Sequence, residues 1–283
     1  MAKIAVVGSY GVGLTFELAR APERGETVVG ERFRTDPGGK GSNQAIGAAR
    51  LGAGVSLLTA VGEDAFGDEA FELWAAEGVD ASAVVRVPDP TMCGAILVEP
   101  SGDNRIVIVP GALTRLAPAH VDEFGDRIAA SDVLLVQLEI PLETAVYALG
   151  VGRRHGVRTI LNPAPAPAER LAAAADYLVP NETEARAVAG ASGTLVVTLG
   201  ADGARLGGER VAPFAAEVVD TTGAGDAFCA AFGVALAEGR EELEAVRWGC
   251  AAGAHMVEHS GVVPGLPTRA ELEHRLAHEA AVP

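Results

Sequence analysis

Apolar residues run almost without interruption from Lys3 to Gly8 (KIAVVG), the pattern of a short strand buried on both faces. From about Pro118 the chain settles into a rhythm. Helix-like AHVDEFGDRIAA precedes the apolar run VLLVQLE, and LETAVYALGVGRRH precedes VRTILN. DYLVP, a short helix after Asn181, and TLVVTLG continue it. Helices alternating with buried strands predict a mostly parallel α/β sheet with crossovers on both faces. Upstream, a helix over AIGAARLG stops near Gly52, the strand VSLLTAVG follows, and a second helix spans about Phe66 to Glu77. Four short extended runs stand apart: Glu26–Arg34, Ala83–Val87, Gly94–Glu99 and Arg105–Val109, separated by turns such as Ser101-Gly102-Asp103-Asn104. They are expected to form a small second sheet. Two Ala/Gly-rich helices, 225–238 and 241–258, and a charged helix from about Thr268 close the chain. The Pro-Ala repeat at 163–167 reads as a stiff connector. With no internal repeat or linker, one domain over 1–283 is expected, with the small sheet attached.

Composition narrows the function. With 283 residues, 49% of them hydrophobic, the chain can bury a substantial core. A net charge of −16 argues against a nucleic-acid or anionic-membrane surface, which needs clustered Lys and Arg. No apolar run approaches the roughly 20 residues that span a bilayer. The first residues enter a strand without the long apolar region of a secretion signal, so a cytoplasmic location is expected. Cys93, Cys229 and Cys250 are far apart and form no CxxC pair. That pattern indicates neither zinc nor a disulfide framework and suits core packing.

The chemistry concentrates where glycines open helices. In Asp220-Thr221-Thr222-Gly223-Ala224-Gly225-Asp226-Ala227-Phe228, an extended run (VAPFAAEVV) gives way to a small-residue helix. A helix start leaves N–H groups unpaired and carries partial positive charge, and glycines let an anion come close. Asp226 there can take a proton from a hydroxyl attacking a phosphoryl group, or can simply cap the helix. Gly38-Gly39-Lys40-Gly41-Ser42-Asn43 opens another helix. It is not a Walker A loop, since no glycine stands five residues before Gly39 and Gly41 follows Lys40. Lys40 and Asn43 suit the hydroxyls of a small polyol; a structural turn with a solvated lysine fits as well. Gly8-Ser9-Tyr10-Gly11-Val12-Gly13 has the wrong glycine order for a dinucleotide loop. Asn181-Glu182-Thr183-Glu184 follows a strand, where open α/β sheets place ligands, and also has the spacing of a capping box. Thr198–Gly203 lies under a nucleotide or forms a plain hairpin turn. Glu139 ends another strand. His255 and His259, at i and i+4, have no evident third ligand and read as a packed or solvated pair.

The ordered set resembles the ribokinase-like (PfkB) family of carbohydrate and nucleoside kinases over nearly the whole length. GGKGSNQA with Gly52 and Gly62 fits the first family signature and DTTGAGDAFCAAFG the second. QLE, LNPAPA, PNETEA and VTLGADG fall between them in the family's order. The resemblance implies a three-layer α/β/α domain with a mostly parallel central sheet and a small β-sheet lid from segments near 11–37 and 84–112. Asp226 would be the catalytic base, with the N–H groups of Gly223, Ala224 and Gly225 as the anion hole. Gly11, Gly13, Gly38, Gly39, Lys40, Asn43 and Glu139 would contact the sugar. Asn181, Thr198, Gly200, Gly203, Gly225 and Cys250 would contact ATP, and Glu184 would organise Mg²⁺ through water. Asp220, Thr222, Met256, His259, Gly261 and Gly265 match positions where relatives bind a monovalent cation such as K⁺. Lids pair into homodimers in ribokinases.

Two departures bear on the substrate. Ribokinase holds sugar hydroxyls with an Asn and an Asp where this chain has Gly11 and Gly13. An unpaired buried polar group costs roughly 1–3 kcal/mol, which argues against plain D-ribose. Room beside these glycines for a bulkier or differently substituted sugar, or a nucleoside, is the expectation. The short ARAVAGASG stretch predicts a trimmed nucleotide edge. The leading reading is an ATP-dependent kinase acting on a hydroxymethyl group of a small sugar. A nucleoside kinase and a non-catalytic sugar-binding protein are the alternatives.

Overall fold

A computed structural model describes residues 1–101, 103–167, 174–188 and 190–278. The chain opens with β1 (Lys3–Val7), β2 (Gly11–Glu17), β3 (Arg32–Gly38) and α1 (Lys40–Arg50). Then come β4 (Gly54–Leu58), β5 (Ala60–Gly62), α2 (Ala65–Ala76), β6 (Val79–Asp80), β7 (Val85–Val87), β8 (Cys93–Val98) and β9 (Asn104–Val109). The regular half holds α3 (Pro118–Glu123), α4 (Gly125–Ala129), β10 (Val133–Gln137), α5 (Leu142–Arg154), β11 (Arg158–Asn162), β12 (Ala174–Leu178) and α6 (Glu184–Ala187). It ends with β13 (Ser192–Thr198), β14 (Ala204–Leu206), β15 (Glu209–Val211), α7 (Ala224–Ala237), α8 (Glu242–Met256), α9 (Val262–Gly265) and α10 (Arg269–His278).

The main sheet runs β15-β14-β13-β12-β11-β10-β1-β4-β6, parallel except at the β14 pairings. Strand alternation splits its apolar side chains between two cores. Ile4, Val6, Val133 and Leu135 face one core with Ile46, Phe232 and Trp248; Ala5, Val7, Leu134 and Val136 face the other with Leu149 and Val121. The three layers follow: α1, α7 and α8 on one side, α3 and α5 on the other. The chain leaves β1 toward β4 on one side and β10 on the other, so a crevice opens past the β1 C-terminus. Among the described residues no helix is long and apolar enough to cross a membrane.

The small sheet, β3-β2-β8-β9, differs from expectation at its centre. One of its two central strands, β2, lies outside the four extended runs read from the pattern; it holds Gly11 and Gly13 and falls in the 11–37 segment that the resemblance assigns to the lid. The Glu26–Arg34 strand is displaced to Arg32–Gly38. Residues before it fold back locally: Glu26 pairs with Arg20, and its N–H donates to the Glu23 carbonyl at 3.0 Å. The segment at Ala83–Val87 does not join the lid, because β7 pairs in parallel with β5. Its Val85 N–H bonds the Thr59 carbonyl at 2.9 Å, the point where VSLLTAVG breaks into two strands. AHVDEFGDRIAA forms two short helices that meet at the buried Phe124, and residues 212–219 carry no sheet pairing. The turn expected at Ser101–Asn104 includes Gly102, and the ARAVAGASG stretch includes Ala189; both lie outside the described residues.

Candidate active site

Helix α7 is apolar around its circumference and buried from Asp226 to Leu236, so its first turn lies in the interior. Its distance from α1 is set by small residues. A Cβ on Gly47 would stand 2.9 Å from the Ala230 Cβ. Gly47 is one turn beyond Asn43, and Ala230 one turn beyond Asp226, so that close approach carries the preceding turns together. Asn43 Nδ2 donates to Asp226 Oδ2 at 2.8 Å, and Gln44 Nε2 to Asp226 Oδ1 at 3.0 Å. Behind them, Gln137 Nε2 donates to Gln44 Oε1 at 2.5 Å, Gln44 Nε2 reaches Asn162 Oδ1 at 3.3 Å, and Asn162 Nδ2 donates to the Val179 carbonyl at 2.9 Å. Asp226 is 4% exposed. A buried carboxylate needs such donors, and here each oxygen has one.

The start of α7 itself is open. Gly223 is the N-cap residue, left-handed at φ 82°, and no side chain caps the helix. Asp226 therefore sits within the first turn and is not the cap. A Cβ on Gly223 would meet the Val262 side chain at 2.7 Å, whereas one on Gly225 would meet nothing within 4 Å. The Ala224 N–H donates to the Thr221 carbonyl at 3.3 Å, and the rest of this first turn, with its helix-dipole charge, lies by the open position at Gly225 and beside a carboxylate. The arrangement can hold an anion next to a group that accepts a proton.

Helix α1 begins against the β1 exit. Cβ atoms on Gly39 and Gly41 would collide with the Ser9–Tyr10 and Gly8–Ser9 backbones, so these glycines serve the chain's own packing. Glu139 Oε2 accepts the Lys40 N–H at 2.9 Å and the Ser9 hydroxyl at 2.5 Å, bracing the helix start. The half-buried Lys40 ammonium has its pKa raised, first by Asp226 and then by Glu139 and Glu184, against the opposing effect of burial. Three expected acids therefore converge on one expected lysine. Asn43 Oδ1 is buried with no partner among the described residues, an acceptor ready for a hydroxyl.

Around the nucleotide positions, Asn181 and Glu184 form the capping box. Asn181 Oδ1 accepts the Thr183 and Glu184 N–H groups, and Glu184 Oε2 accepts the Asn181 N–H, all at 2.9 Å. Asn181 bridges to Thr198, next to the Gly200–Asp202 turn that leads into the β14–β15 hairpin. Gly200 and Gly203 there have positive φ, 58° and 84°. Cys250 is packed in the core at 8% exposure, and burial pushes its thiol up to about 12. Cys229 is buried as well.

The six positions matched to a monovalent cation share one neighbourhood. Thr222 N–H donates to Asp220 Oδ1 at 2.9 Å, Asp220 N–H to the Val257 carbonyl at 3.1 Å, and His259 N–H to the Met256 carbonyl at 3.2 Å. A Cβ on Gly265 would meet Met256 Cε at 2.6 Å and His259 Cβ at 3.0 Å, and Gly261 stands at φ 82°. The His255 and His259 rings stack 4.6 Å apart.

The lid glycines bring a correction. Gly11 pairs across β2–β3 with Gly38 and Gly13 with Asp36. A Cβ on Gly11 would overlap Met92 Cε and stand 2.8 Å from the Met92 carbonyl, so Met92 takes the room expected there. At Gly13 a Cβ would touch Ile96 Cδ1 at 3.4 Å and the Asp36 carbonyl at 3.7 Å. Ser9, Gln44, Gln137, Asn162 and Met92 were not singled out from the sequence. A signal existed for two of them, since Gln137 and Asn162 are the polar last residues of otherwise apolar strands (VLLVQ, RTILN). A cavity of about 690 Å³ lies at the opposite strand ends, beside Asp132 and Asp176. Those acids already serve the Lys3 N–H and Thr159.

Fold and site together are those of an α/β/α domain with an uncapped helix start and a buried carboxylate near a small β-sheet lid, and similarity to known proteins gives the class. A family model described as pfkB family carbohydrate kinase matches residues 1–269, and the chain belongs to that family of ATP-dependent sugar kinases. It is 39% identical to a ribokinase of Bacillus subtilis over 98% of this chain and 100% of the relative. It is 35% identical to a deoxyribokinase of Salmonella typhi over 81% and 84%. The structure of Arabidopsis thaliana ribokinase complexed with ribose and ATP superposes with a TM-score of 0.87 at 30% identity, covering 98% and 99% of the two chains.

Proposed function

We propose that this kinase moves the γ-phosphoryl group of ATP to a hydroxymethyl group of a small sugar, with Asp226 as the base. What carries the reading is the buried Asp226 carboxylate, held by two amides beside the uncapped start of α7. The sugar would rest on Gly38, Gly39, Lys40, Asn43 and Glu139, with its reacting hydroxyl turned to Asp226. The proton passes from that hydroxyl to the carboxylate as the oxygen attacks. The N–H groups of Gly223 to Gly225 take the charge of the moving phosphoryl group. Asn181, Thr198, Gly200 and Gly203 would hold ATP, and Glu184 would hold Mg²⁺ through water. That ion supplies charge neutralisation for the phosphates. The loops at Asp220–Thr222 and Met256–Gly265 suit a monovalent cation behind the anion site. Similarity to a ribokinase and a deoxyribokinase supports a pentose. The nucleoside alternative draws on room beside Gly11 and Gly13; Met92 takes up the space at Gly11, and a nucleoside would have to enter beside Gly13.

The test is Asp226→Asn, with turnover read by ADP release and ATP binding by calorimetry. The expected result is intact folding and ATP binding with kcat lowered about 10²–10⁴-fold, the range for loss of a general base. Near-normal turnover removes the base assignment.

A further inference from the structure

The sugar site has two unlike walls. The floor offers Lys40, the Glu139 carboxylate and the unpartnered Asn43 Oδ1. The lid wall starts at Gly11, beside the α1 start through its pairing with Gly38. Tyr10 and Val12 turn the other way and line a small cavity with Leu73 of α2, so Gly11 and Gly13 present the opposite face of β2. That face carries no polar side chain at either glycine. Met92 Cε and Cβ fill the space at Gly11 with the Met92 carbonyl, which already accepts the Val12 N–H at 2.9 Å, and Ile96 Cδ1 covers Gly13 with the Asp36 carbonyl 3.7 Å away. Strand register puts Gly94 beside Gly13 and Ile108 beside Gly94, extending the same apolar face. Asp36 lies across from Gly13, but its carboxylate is paired with Arg34 at 3.2 Å.

We propose that this lid wall accepts the C–H face of a deoxypentose in preference to a fully hydroxylated pentose, and that Met92 together with the bare Gly13 sets the choice. The inference rests on the sugar-kinase reading above and adds the substrate class. A hydroxyl turned to thioether and isoleucine loses its water and gains no partner, whereas a methylene loses nothing. Apolar pockets reject an added hydroxyl by up to about 10²-fold, so a preference of ten- to a hundredfold is expected.

The experiment compares kcat/KM by ADP release for D-ribose, 2-deoxy-D-ribose and 3-deoxy-D-ribose in the wild-type protein. At least a tenfold advantage for either deoxy sugar supports the proposal, and a smaller one or a ribose preference overturns it while leaving the kinase reading intact. ADP release with none of the three, while ATP still binds, removes the pentose reading and this inference with it. Gly13→Asp, whose Cβ would touch the Ile96 tip at 3.4 Å and the Asp36 carbonyl at 3.7 Å, should shift the deoxypentose-to-ribose ratio toward ribose about tenfold. Met92→Gly with Gly11→Asn should do the same. An unmoved ratio in folded Gly13→Asp overturns the assignment even if the double variant does not fold. Ribose turnover that collapses in Asp36→Ala would show that Asp36 holds hydroxyls from across the strand, and would overturn it too.

Discussion

The floor and the lid of the site are built on different physics. On the floor, α1 and α7 meet where Gly47 faces Ala230, and the polar groups above them are buried and linked from Gln137 through Gln44 to Asp226. In the lid, every residue of β9 is exposed and most of β3 is too. The floor can hold a carboxylate to within a hydrogen bond because tight packing leaves it no alternative. The outer lid strands β3 and β9 have little burial to fix them, so packing constrains that part of the site less than the floor. On the readings proposed above, reaction type lies with the floor and substrate choice with the lid.

The comparison breaks most severely if the floor is spread. Gly47→Leu forces a branched side chain into a contact that a single Cβ already overfills. Such overpacking costs about 1–3 kcal/mol of stability, read by urea denaturation. The displaced Asn43 and Gln44 should also lower kcat about 10²-fold in the protein that stays folded, because small misplacements near the chemistry are costly. Unchanged kcat would mean that the helix spacing does not position Asp226.

A smaller effect separates charge from packing on the floor. Lys40→Met keeps the length of the side chain and removes the ammonium from among Asp226, Glu139 and Glu184. Hydrogen bonds to charged groups are worth about 1.5–3 kcal/mol, so KM for the sugar should rise about ten- to a hundredfold with Tm nearly held. The sign of the pH dependence follows from the raised Lys40 pKa. Its charge and the stability it contributes are complete below the ordinary lysine value of 10.5 and are lost only as pH rises through the higher folded value. The sugar KM of the wild type should therefore show no lysine titration between pH 7 and about 10. A KM that climbs within that window would place Lys40 outside the pocket.

The same contrast explains what could be read from the sequence. Floor residues lie in glycine-rich helix starts whose composition announces backbone approach and anion binding, so Asp226, Lys40 and Asn43 were legible. Gln44 was hidden because a glutamine in a helix carries no signal until its neighbours are known. In the lid, alternation located β8 and β9, but glycines masked β2, since the residue that permits a loop also permits a close strand. Met92 was invisible for a related reason: it fills a space created by a glycine far away in the chain. Register, and with it the true edge of β3, depends on pairings such as Gly13 with Asp36 that no local pattern encodes.

The mildest expected effect lies on the outer lid. Val12, Leu14 and Phe16 share a face, and register adds Phe33, Ala95, Val107 and Val109 to it. Phe16 and Phe33 rings stand 5.0 Å apart, with Phe33 59% and Val107 66% exposed. An apolar patch beside an uncovered edge strand calls for a partner surface. Lid pairing between two copies would supply it, and Phe33→Ser with Val107→Ser tests the point. Substitutions at exposed sites change folding free energy by only about ±0.5 kcal/mol, and kcat at saturating sugar should hold because neither side chain faces the pocket. Light scattering should show a dimer for the wild type and a monomer for the variant. A wild type that is monomeric at micromolar concentration would rule out lid pairing and leave the patch to a different partner. A variant that loses kcat along with its dimer would mean that pairing holds the lid over the sugar, which would join the two regions contrasted here.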